Sequence, residues 1–254
     1  MRQEWFEPNS FLDEKEKLLE RVEGYEALGM RKEAIDECKS LVRLDPDDPA
    51  SIVELGIQSE LDGEKAFEYF KYGIEKFPQY FRTYVALGYW FERCRARTDI
   101  AMLCYEKALE LNPNDEWAFY NIGRMLHYSG RWKEAIPYYE QSYEACKREG
   151  VVSGRALHGL AWAYYRLKDY QKASGLFVHI VQEDAGYLEQ ENDVRADFGC
   201  VQYKLGHYDK SLALFEEALK RQPVNKRYKC LRNLLREKAS LFAIKQAKNL
   251  PRRS

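Results

Sequence analysis

The stretch from Arg82 to Pro113, RTYVALGYWFERCRARTDIAMLCYEKALELNP, decides the fold. Its first half has apolar or small residues at positions i, i+3, i+4 and i+7, and its second half has them at i, i+4 and i+7. These positions are Tyr84, Leu87, Gly88 and Phe91, followed by Ala101, Tyr105 and Ala108. Each set lies on one face of a helix, and the closing proline cannot continue the second helix. The stretch therefore predicts a hairpin of two amphipathic helices.

The same pattern recurs along the whole chain, as a small residue followed four positions later by an aromatic or other apolar residue. The pairs are Ala34/Cys38, Ala66/Phe70, Ala101/Tyr105, Ala135/Tyr139, Ala173/Phe177 and Ser211/Phe215. Successive pairs lie 32, 35, 34, 38 and 38 residues apart. A hairpin of this length cannot bury its apolar face alone and must stack on its neighbours. The sequence therefore predicts an all-α chain of about six stacked hairpins.

Short polar turns that contain glycine separate the helices of several units. These glycines are Gly29, Gly63, Gly130 and Gly206. Glycine adopts the left-handed backbone conformation that commonly ends a helix. We therefore predict that each of these four residues ends the first helix of its hairpin.

Composition restricts the class of protein. The 254 residues are 45 % hydrophobic and 32 % charged, and no apolar run approaches the roughly 18 residues of a membrane span. The N-terminal sequence MRQEWFEPNSFLDEKEK lacks the apolar core of a signal peptide. The six cysteines are far apart and form no CxxC pair, which argues against a disulfide framework or a structural zinc site. These features predict a cytoplasmic protein without a metal or cofactor.

The repeated pattern resembles the tetratricopeptide repeat (TPR), a unit of about 34 residues with the signature W-L-G-Y…A…F…A…P. Arg82 to Pro113 matches best, and Asn114 to Ala145 matches nearly as well. The resemblance implies a right-handed α-solenoid over residues 15–223, with a C-terminal capping helix. Its repeats are approximately 15–48, 49–80, 81–115, 116–149, 154–187 and 192–225. Residues 1–14 would form a lead-in, 226–248 a basic amphipathic helix and 249–254 a tail.

The resemblance also implies that the first helix of each unit lines a concave groove that binds a partner. The predicted groove residues are Arg82, Tyr89, Arg93, Trp117, Tyr120, Asn121, Arg124, Tyr128, Arg155, His158, Trp162, Tyr165 and Arg166. Aromatic residues and arginines are enriched at interface hot spots, although aromatics in helical repeats also pack between hairpins. Asn121 stands where peptide-binding members of the family often hold the ligand backbone. The expected ligand is a peptide or helix of another protein with acidic or aromatic residues.

The ends of the chain carry opposite charge. Residues 1–78 contain 20 acidic and 11 basic residues, whereas residues 220–254 contain 12 basic residues and one acidic residue. The basic residues Lys226, Arg227, Arg232 and Arg236 would face outward from a capping helix. Alternatively this helix binds nucleic acid or an acidic partner, or the two ends pair in a homo-oligomer. Contacts driven by the tail should weaken steeply with salt.

The sequence gives little support to an enzyme. It contains no nucleophile elbow, no phosphate-binding glycine loop and no HExxH motif. His127 and His158 fall on predicted groove faces of adjacent repeats, but two histidines without a third ligand make a poor metal site. The prediction is a non-catalytic scaffold or adaptor in a larger assembly.

Overall fold

The structure, a computed structural model, describes residues 10–184, 186–187, 191 and 193–236. Within these residues the fold is all-α and consists of helices joined by short turns. The first six helices are α1 (Ser10–Ala27), α2 (Arg31–Leu44), α3 (Pro49–Gln58), α4 (Gly63–Lys76), α5 (Phe81–Arg95) and α6 (Thr98–Leu111). The next six are α7 (Glu116–Tyr128), α8 (Trp132–Arg148), α9 (Gly154–Arg166), α10 (Tyr170–Glu183), α11 (Val194–Lys204) and α12 (Tyr208–Arg221). A further helical segment covers residues 226–236.

The chain forms two compact units, Met1–Asn121 and Ile122–Ser254, with the boundary inside α7. In the first unit, each helix from α1 to α6 packs against the next one along the chain, and α3 also contacts α5. In the second unit the same neighbour packing runs from α8 to α12. Each unit is therefore a stack of helices built from local contacts, as the repeat pattern predicts.

The small–apolar pairs that define the repeat form the core of both units. All twelve residues of the six pairs are at most 2 % exposed. A glycine in the first helix of a hairpin makes room for the ring of the pair in the second helix. A Cβ atom added to Gly88 would lie 2.8 Å from the ring of Tyr105, and one added to Gly199 would lie 2.9 Å from the ring of Phe215. The glycines therefore allow a close approach that a larger side chain would prevent.

The turns follow the sequence prediction at three of four glycines. Gly29, Gly130 and Gly206 have φ angles of 70°, 77° and 81°, which is the left-handed conformation. The prediction for Gly63 is wrong, because this residue begins α4 instead of ending α3. The side chain of Asp62 accepts a hydrogen bond from the backbone N–H of Lys65 and caps α4, so Gly63 adopts the helical conformation.

The segment 226–236 packs against the last helix pair of the second unit. Tyr228 and Leu235 are buried beside Phe215 on α12, and Arg236 forms a 2.5 Å ion pair with Glu216. The hydroxyl of Tyr228 donates a hydrogen bond to Asp193. Residues 237–248 of the predicted C-terminal helix, the tail 249–254 and residues 1–9 of the lead-in lie outside the described residues. No described helix is long and apolar enough to cross a membrane.

Candidate protein-interaction surfaces

Helix α9 positions five of the predicted groove residues in the second unit. The hydroxyl of Ser153 caps this helix by accepting a hydrogen bond from the backbone N–H of Ala156. One face of α9 is buried in the core through residues such as Leu157 and Ala161. The rest of the helix carries Arg155, His158, Trp162, Tyr165 and Arg166, of which Arg166 is exposed and the others are half-buried.

A carboxylate from α11 organises two of these side chains. One oxygen of Asp197 accepts a hydrogen bond from the indole N–H of Trp162 at 2.8 Å. The same oxygen lies 3.0 Å from Nε2 of His158. The other ring nitrogen, Nδ1, lies 3.0 Å from the hydroxyl of Tyr187. In the neutral tautomer with the proton on Nε2, His158 donates to Asp197 and accepts from Tyr187, so both ring nitrogens have partners.

Tyr187 reaches His158 because the segment after α10 is tied back to the start of α9. One carboxylate oxygen of Asp184 accepts a hydrogen bond from the backbone N–H of Gly154 at 2.9 Å. The other oxygen accepts one from the backbone N–H of Tyr187, also at 2.9 Å. The 38-residue interval before the last repeat thus supplies Tyr187, which completes the hydrogen-bond network on α9.

The C-terminal half of α9 presents an aromatic surface. The rings of Trp162 and Tyr165 meet at 90° with centroids 4.8 Å apart. The guanidinium carbon of Arg166 lies 4.4 Å from the centre of the Trp132 ring, which is a cation–π contact. Burial raises the pKa of the Tyr165 hydroxyl, so this group stays neutral over the ordinary pH range. Trp162, Tyr165 and Arg166 together are called the aromatic patch below.

The other predicted groove residues differ widely in exposure. Arg82, Tyr89, Arg93, Trp117 and Tyr128 are exposed, whereas Tyr120 and Arg124 are half-buried. In the first unit, the guanidinium of Arg93 lies 5.5 Å from the centre of the Tyr89 ring. Asn121 is buried and only 4 % exposed, and its contact with a ligand backbone stays a prediction.

His127 and His158 both lie in the second unit. Burial lowers the pKa of His127, with smaller contributions from the charges of Arg166 and His158. In the part of the chain that the structure describes, no three His, Cys, Asp or Glu side chains are grouped so that they could hold a metal ion. His158 is instead committed to the hydrogen bonds of Asp197 and Tyr187.

The first unit contains a carboxylate cluster that the sequence analysis missed. The side-chain amide of Gln58 donates hydrogen bonds to Glu54, at 2.8 Å, and to Glu26 on α1. Burial raises the pKa of Glu54, and the nearby charges of Glu26 and Glu23 raise it further. Glu26 and Gln58 are 32 positions apart, about one repeat, so the clue was a pair of polar residues at the repeat spacing.

The predicted basic residues near the C-terminus lie on both sides of their helix. Lys226 and Arg227 are exposed, and Arg232 is half-buried. The guanidinium of Arg232 donates to the side-chain oxygen of Asn233 at 3.0 and 3.2 Å. Arg236 is exposed but already paired with Glu216. The basic surface of this segment is therefore concentrated at its N-terminal end.

Sequence profiles described as Tetratricopeptide repeat match residues 96–115, 115–181 and 197–232. No curated protein matches the chain by sequence. Among solved structures, a chain of the APC/C hetero-tetramer Cut9-Hcn1 aligns with a TM-score of 0.73 at 14 % identity, over 89 % of this chain and 46 % of that one. The chain thus spans less than half the length of that relative.

Two further solved structures align with the chain over most of their length. PilF of Pseudomonas aeruginosa aligns with a TM-score of 0.68 at 14 % identity, over 89 % of this chain and 99 % of that one. YrrB, a TPR protein, aligns with a TM-score of 0.55 at 17 % identity, over 79 % of this chain and 97 % of that one. Identities this low show a common fold, which in this family generally serves as a protein-interaction scaffold. The repeat spacing, the buried small–apolar pairs and the profile matches agree, and the chain belongs to the tetratricopeptide-repeat family.

Proposed function

We propose that the protein is a non-catalytic scaffold that binds a segment of another protein through the aromatic patch of its second unit. The observation that carries this proposal is the pair of half-buried rings of Trp162 and Tyr165, which are in perpendicular contact on α9. Large aromatic side chains that are partly accessible supply much of the binding energy at protein interfaces. A cytoplasmic location remains a prediction from the sequence.

The hydrogen bonds beneath the patch hold it in one conformation. The carboxylate of Asp197 accepts a hydrogen bond from the indole N–H of Trp162 and so fixes the orientation of this ring. The same carboxylate also contacts His158, which gives it a second tie to α9. Ordering a rotamer-rich side chain on binding costs about 0.5–1.5 kcal/mol, so side chains that are already fixed bind more tightly. Because its N–H group is already used, Trp162 offers a ligand its ring surface and not a hydrogen-bond donor.

The chemistry of the patch indicates the chemistry of its ligand. The rings of Trp162 and Tyr165 suit an aromatic or aliphatic side chain. Arg166 is exposed beside them, and a guanidinium stacked on an aromatic ring can still bind a carboxylate. We therefore infer that the bound segment contains an apolar residue with an acidic residue nearby. YrrB, which shares the fold, is described as having an unusual peptide-binding site, and this lends support by analogy.

Selection from a random peptide library tests this proposal and does not require that the partner be identified first. Peptides are selected on the full-length protein, and their affinities are measured by fluorescence anisotropy for wild type and for the double variant Tyr165→Ala/Arg166→Ala. We expect at least about a 10-fold loss of affinity in the variant, because truncating two hot-spot residues costs more than roughly 1.4 kcal/mol. The selected peptides should be enriched in acidic and aromatic residues.

A matched control uses one apolar and one basic residue that are exposed elsewhere in the same unit. The double variant Val178→Ala/Lys147→Ala removes such a pair from α10 and α8. It should bind the peptides within about 2-fold of wild type, as surface substitutions away from an interface do. Circular dichroism verifies that both variants fold. The proposal is wrong if no peptide is recovered, or if the patch variant binds every recovered peptide as well as the control does.

A further inference from the structure

The first unit carries a second surface, separate from the aromatic patch, on α1 and α3. Leu19, Glu23 and Glu26 follow one another at i, i+4 and i+7 on one face of α1. Glu54 and Ile57 are neighbours on α3. The side-chain amide of Gln58 donates hydrogen bonds to both Glu54 and Glu26 and so links the two helices. We define the acidic face as Leu19, Glu23, Glu26, Glu54 and Ile57.

The acidic face combines accessible apolar surface with negative charge. Leu19 and Ile57 are each 40 % exposed, and Glu23 and Glu26 are exposed beside them. The group that bridges Glu26 and Glu54 is the neutral amide of Gln58, which supplies hydrogen bonds but no positive charge. Glu26 and Glu23 repel the charge of Glu54 and add to its raised pKa, whose largest cause is burial. A cation placed here would relieve that repulsion.

The helical segment 226–236 has the complementary chemistry. Its sequence, KRYKCLRNLLR, contains five basic residues and no acidic residue. Tyr228 and Leu235 face the core, and Arg227, Cys230 and Leu234 lie at i, i+3 and i+7 on the exposed side. Leu234 is 44 % exposed, and Lys226 and Lys229 are exposed close to this stripe. The segment thus presents the exposed side chains of Cys230 and Leu234 with basic residues around them.

We propose that the acidic face of one molecule binds the helical segment 226–236 of a second copy. In such a contact Leu234 packs against Leu19 or Ile57, and lysines of the segment approach Glu23 and Glu26. The two surfaces are different parts of the chain, so the contact is heterologous and joins molecules head to tail in rings or open chains. The contact surface is small, and the association should therefore be weak and reversible.

Sedimentation velocity of the full chain over a range of concentrations tests this association. The mean sedimentation coefficient should rise with protein concentration up to about 500 µM, the range needed for a small interface. Increasing the ionic strength from about 0.05 M to about 0.5 M should lower the association constant at least about 10-fold, because salt screens exposed charges. A protein that remains monomeric throughout this range in low salt would overturn the proposal.

Charge reversal of either surface should abolish the association. The head variant is Glu23→Lys/Glu26→Lys, and the tail variant is Lys226→Glu/Lys229→Glu. Each variant alone should sediment as a monomer, because it carries two surfaces of like charge. An equimolar mixture of the two should associate again, because an intact tail on the head variant meets an intact head on the tail variant.

A matched control reverses two exposed glutamates on another helix of the first unit. The variant Glu64→Lys/Glu68→Lys makes the same change in net charge on α4, and it should associate like wild type. Association that survives in the head variant, or that the control variant loses equally, would overturn the assignment of the acidic face. A mixture of head and tail variants that stays monomeric would overturn the heterologous arrangement.

Discussion

The two units use the same position of the repeat for different chemistry. In the first unit Ile57 follows Leu55-Gly56, and in the second Trp162 follows Leu160-Ala161. Beside Ile57, two carboxylates share the hydrogen bonds of one neutral amide. Beside Trp162, one carboxylate oxygen accepts a hydrogen bond from the indole N–H and lies 3.0 Å from Nε2 of His158. The repeat thus determines which residues are buried between helices, whereas the residues next to the core are free to form different surfaces.

The two units also differ in how well the charge of their carboxylates is compensated. A hydrogen bond to a charged group contributes about 1.5–3 kcal/mol, and Asp197 has two such contacts within the second unit, with Trp162 and His158. In the first unit Glu54 is desolvated near two other carboxylates, and its pKa is raised. The network of the second unit is therefore satisfied within the protein. The acidic face of the first unit gains most from a positively charged partner.

The largest expected effect comes from emptying the equivalent core site in either unit. Phe70 in the first unit and Phe215 in the second are each at most 2 % exposed and lie against a glycine of the facing helix. Phe70→Ala and Phe215→Ala should each destabilise their own unit by about 3–5 kcal/mol, because a buried ring is lost and a cavity remains. Hydrogen exchange followed by mass spectrometry should show faster exchange in α3 and α4 for the first variant, and in α11 and α12 for the second.

Exposed side chains provide the control for these substitutions. Tyr72 on α4 and Leu234 in the C-terminal segment are both substantially exposed, and Tyr72→Ala and Leu234→Ala should change the stability of their units by no more than about 0.5 kcal/mol. If Phe70→Ala and Phe215→Ala cost no more than these controls, the two rings do not stabilise their units as the repeat requires.

The buried positions of this fold could be predicted from the sequence because they depend on spacing alone. Pairs such as Ala101/Tyr105 recur at fixed intervals, and all six are buried. A small residue four positions before a large one fits a helix crossing wherever it occurs along the chain. The left-handed conformations of Gly29, Gly130 and Gly206 could also be predicted from local sequence. The prediction failed at Gly63 because Asp62 caps the next helix and Gly63 is its first residue.

The surfaces could be predicted only in part, because they depend on contacts between repeats. His158 and Trp162 were predicted from the sequence, but their partner Asp197 was not, because it lies 39 and 35 positions further along the chain. The 4 % exposure of Asn121 likewise depends on its surroundings in the fold and not on its position in the repeat. Polar residues separated by about one repeat length were the available signal. They contact each other on adjacent first helices, as Gln58 and Glu26 also do.

An intermediate effect is expected at glycines inside helices. A Cβ atom on Gly56 would lie 2.5 Å from the ring of Phe70, whereas Gly24 in α1 and Gly175 in α10 have open space at that position. Gly24→Ala and Gly175→Ala should each stabilise the protein by up to about 1 kcal/mol, since alanine favours the helix. Gly56→Ala should destabilise it by about 1–3 kcal/mol through overpacking. Urea denaturation measures all three free energies of unfolding.

The open glycines serve as controls for the crowded one, because the chemical change is the same. Equal stabilisation by all three substitutions would mean that Phe70 moves away from α3 at little cost. The close packing of ring against glycine would then be a preference of the first unit and not a requirement. A loss at Gly175 comparable to that at Gly56 would instead point to a contact of α10 that the open space around it does not indicate.

The smallest expected effect concerns the pH dependence of the first unit. The pKa of Glu54 in the folded protein lies above the ordinary value of 4.5, mainly because the carboxyl group is buried. The folded state then holds this proton more tightly than the unfolded state, so stability from Glu54 is present at low pH and is lost as the pH rises above about 4.5. Glu54→Gln removes this loss and should be more stable than wild type at neutral pH.

Differential scanning fluorimetry from pH 4 to pH 8 gives the melting temperatures of Glu54→Gln and wild type. Their difference isolates the contribution of Glu54 to the pH dependence of stability. The difference should be near zero at the acid end and should grow as the pH rises, because glutamine resembles the protonated carboxyl group and still accepts the hydrogen bond of Gln58. Glu68→Gln, at an exposed site on α4 of the same unit, measures what the loss of a surface charge does by itself. If the two differences follow the same pH curve, burial and the neighbouring carboxylates do not raise the pKa of Glu54 in solution.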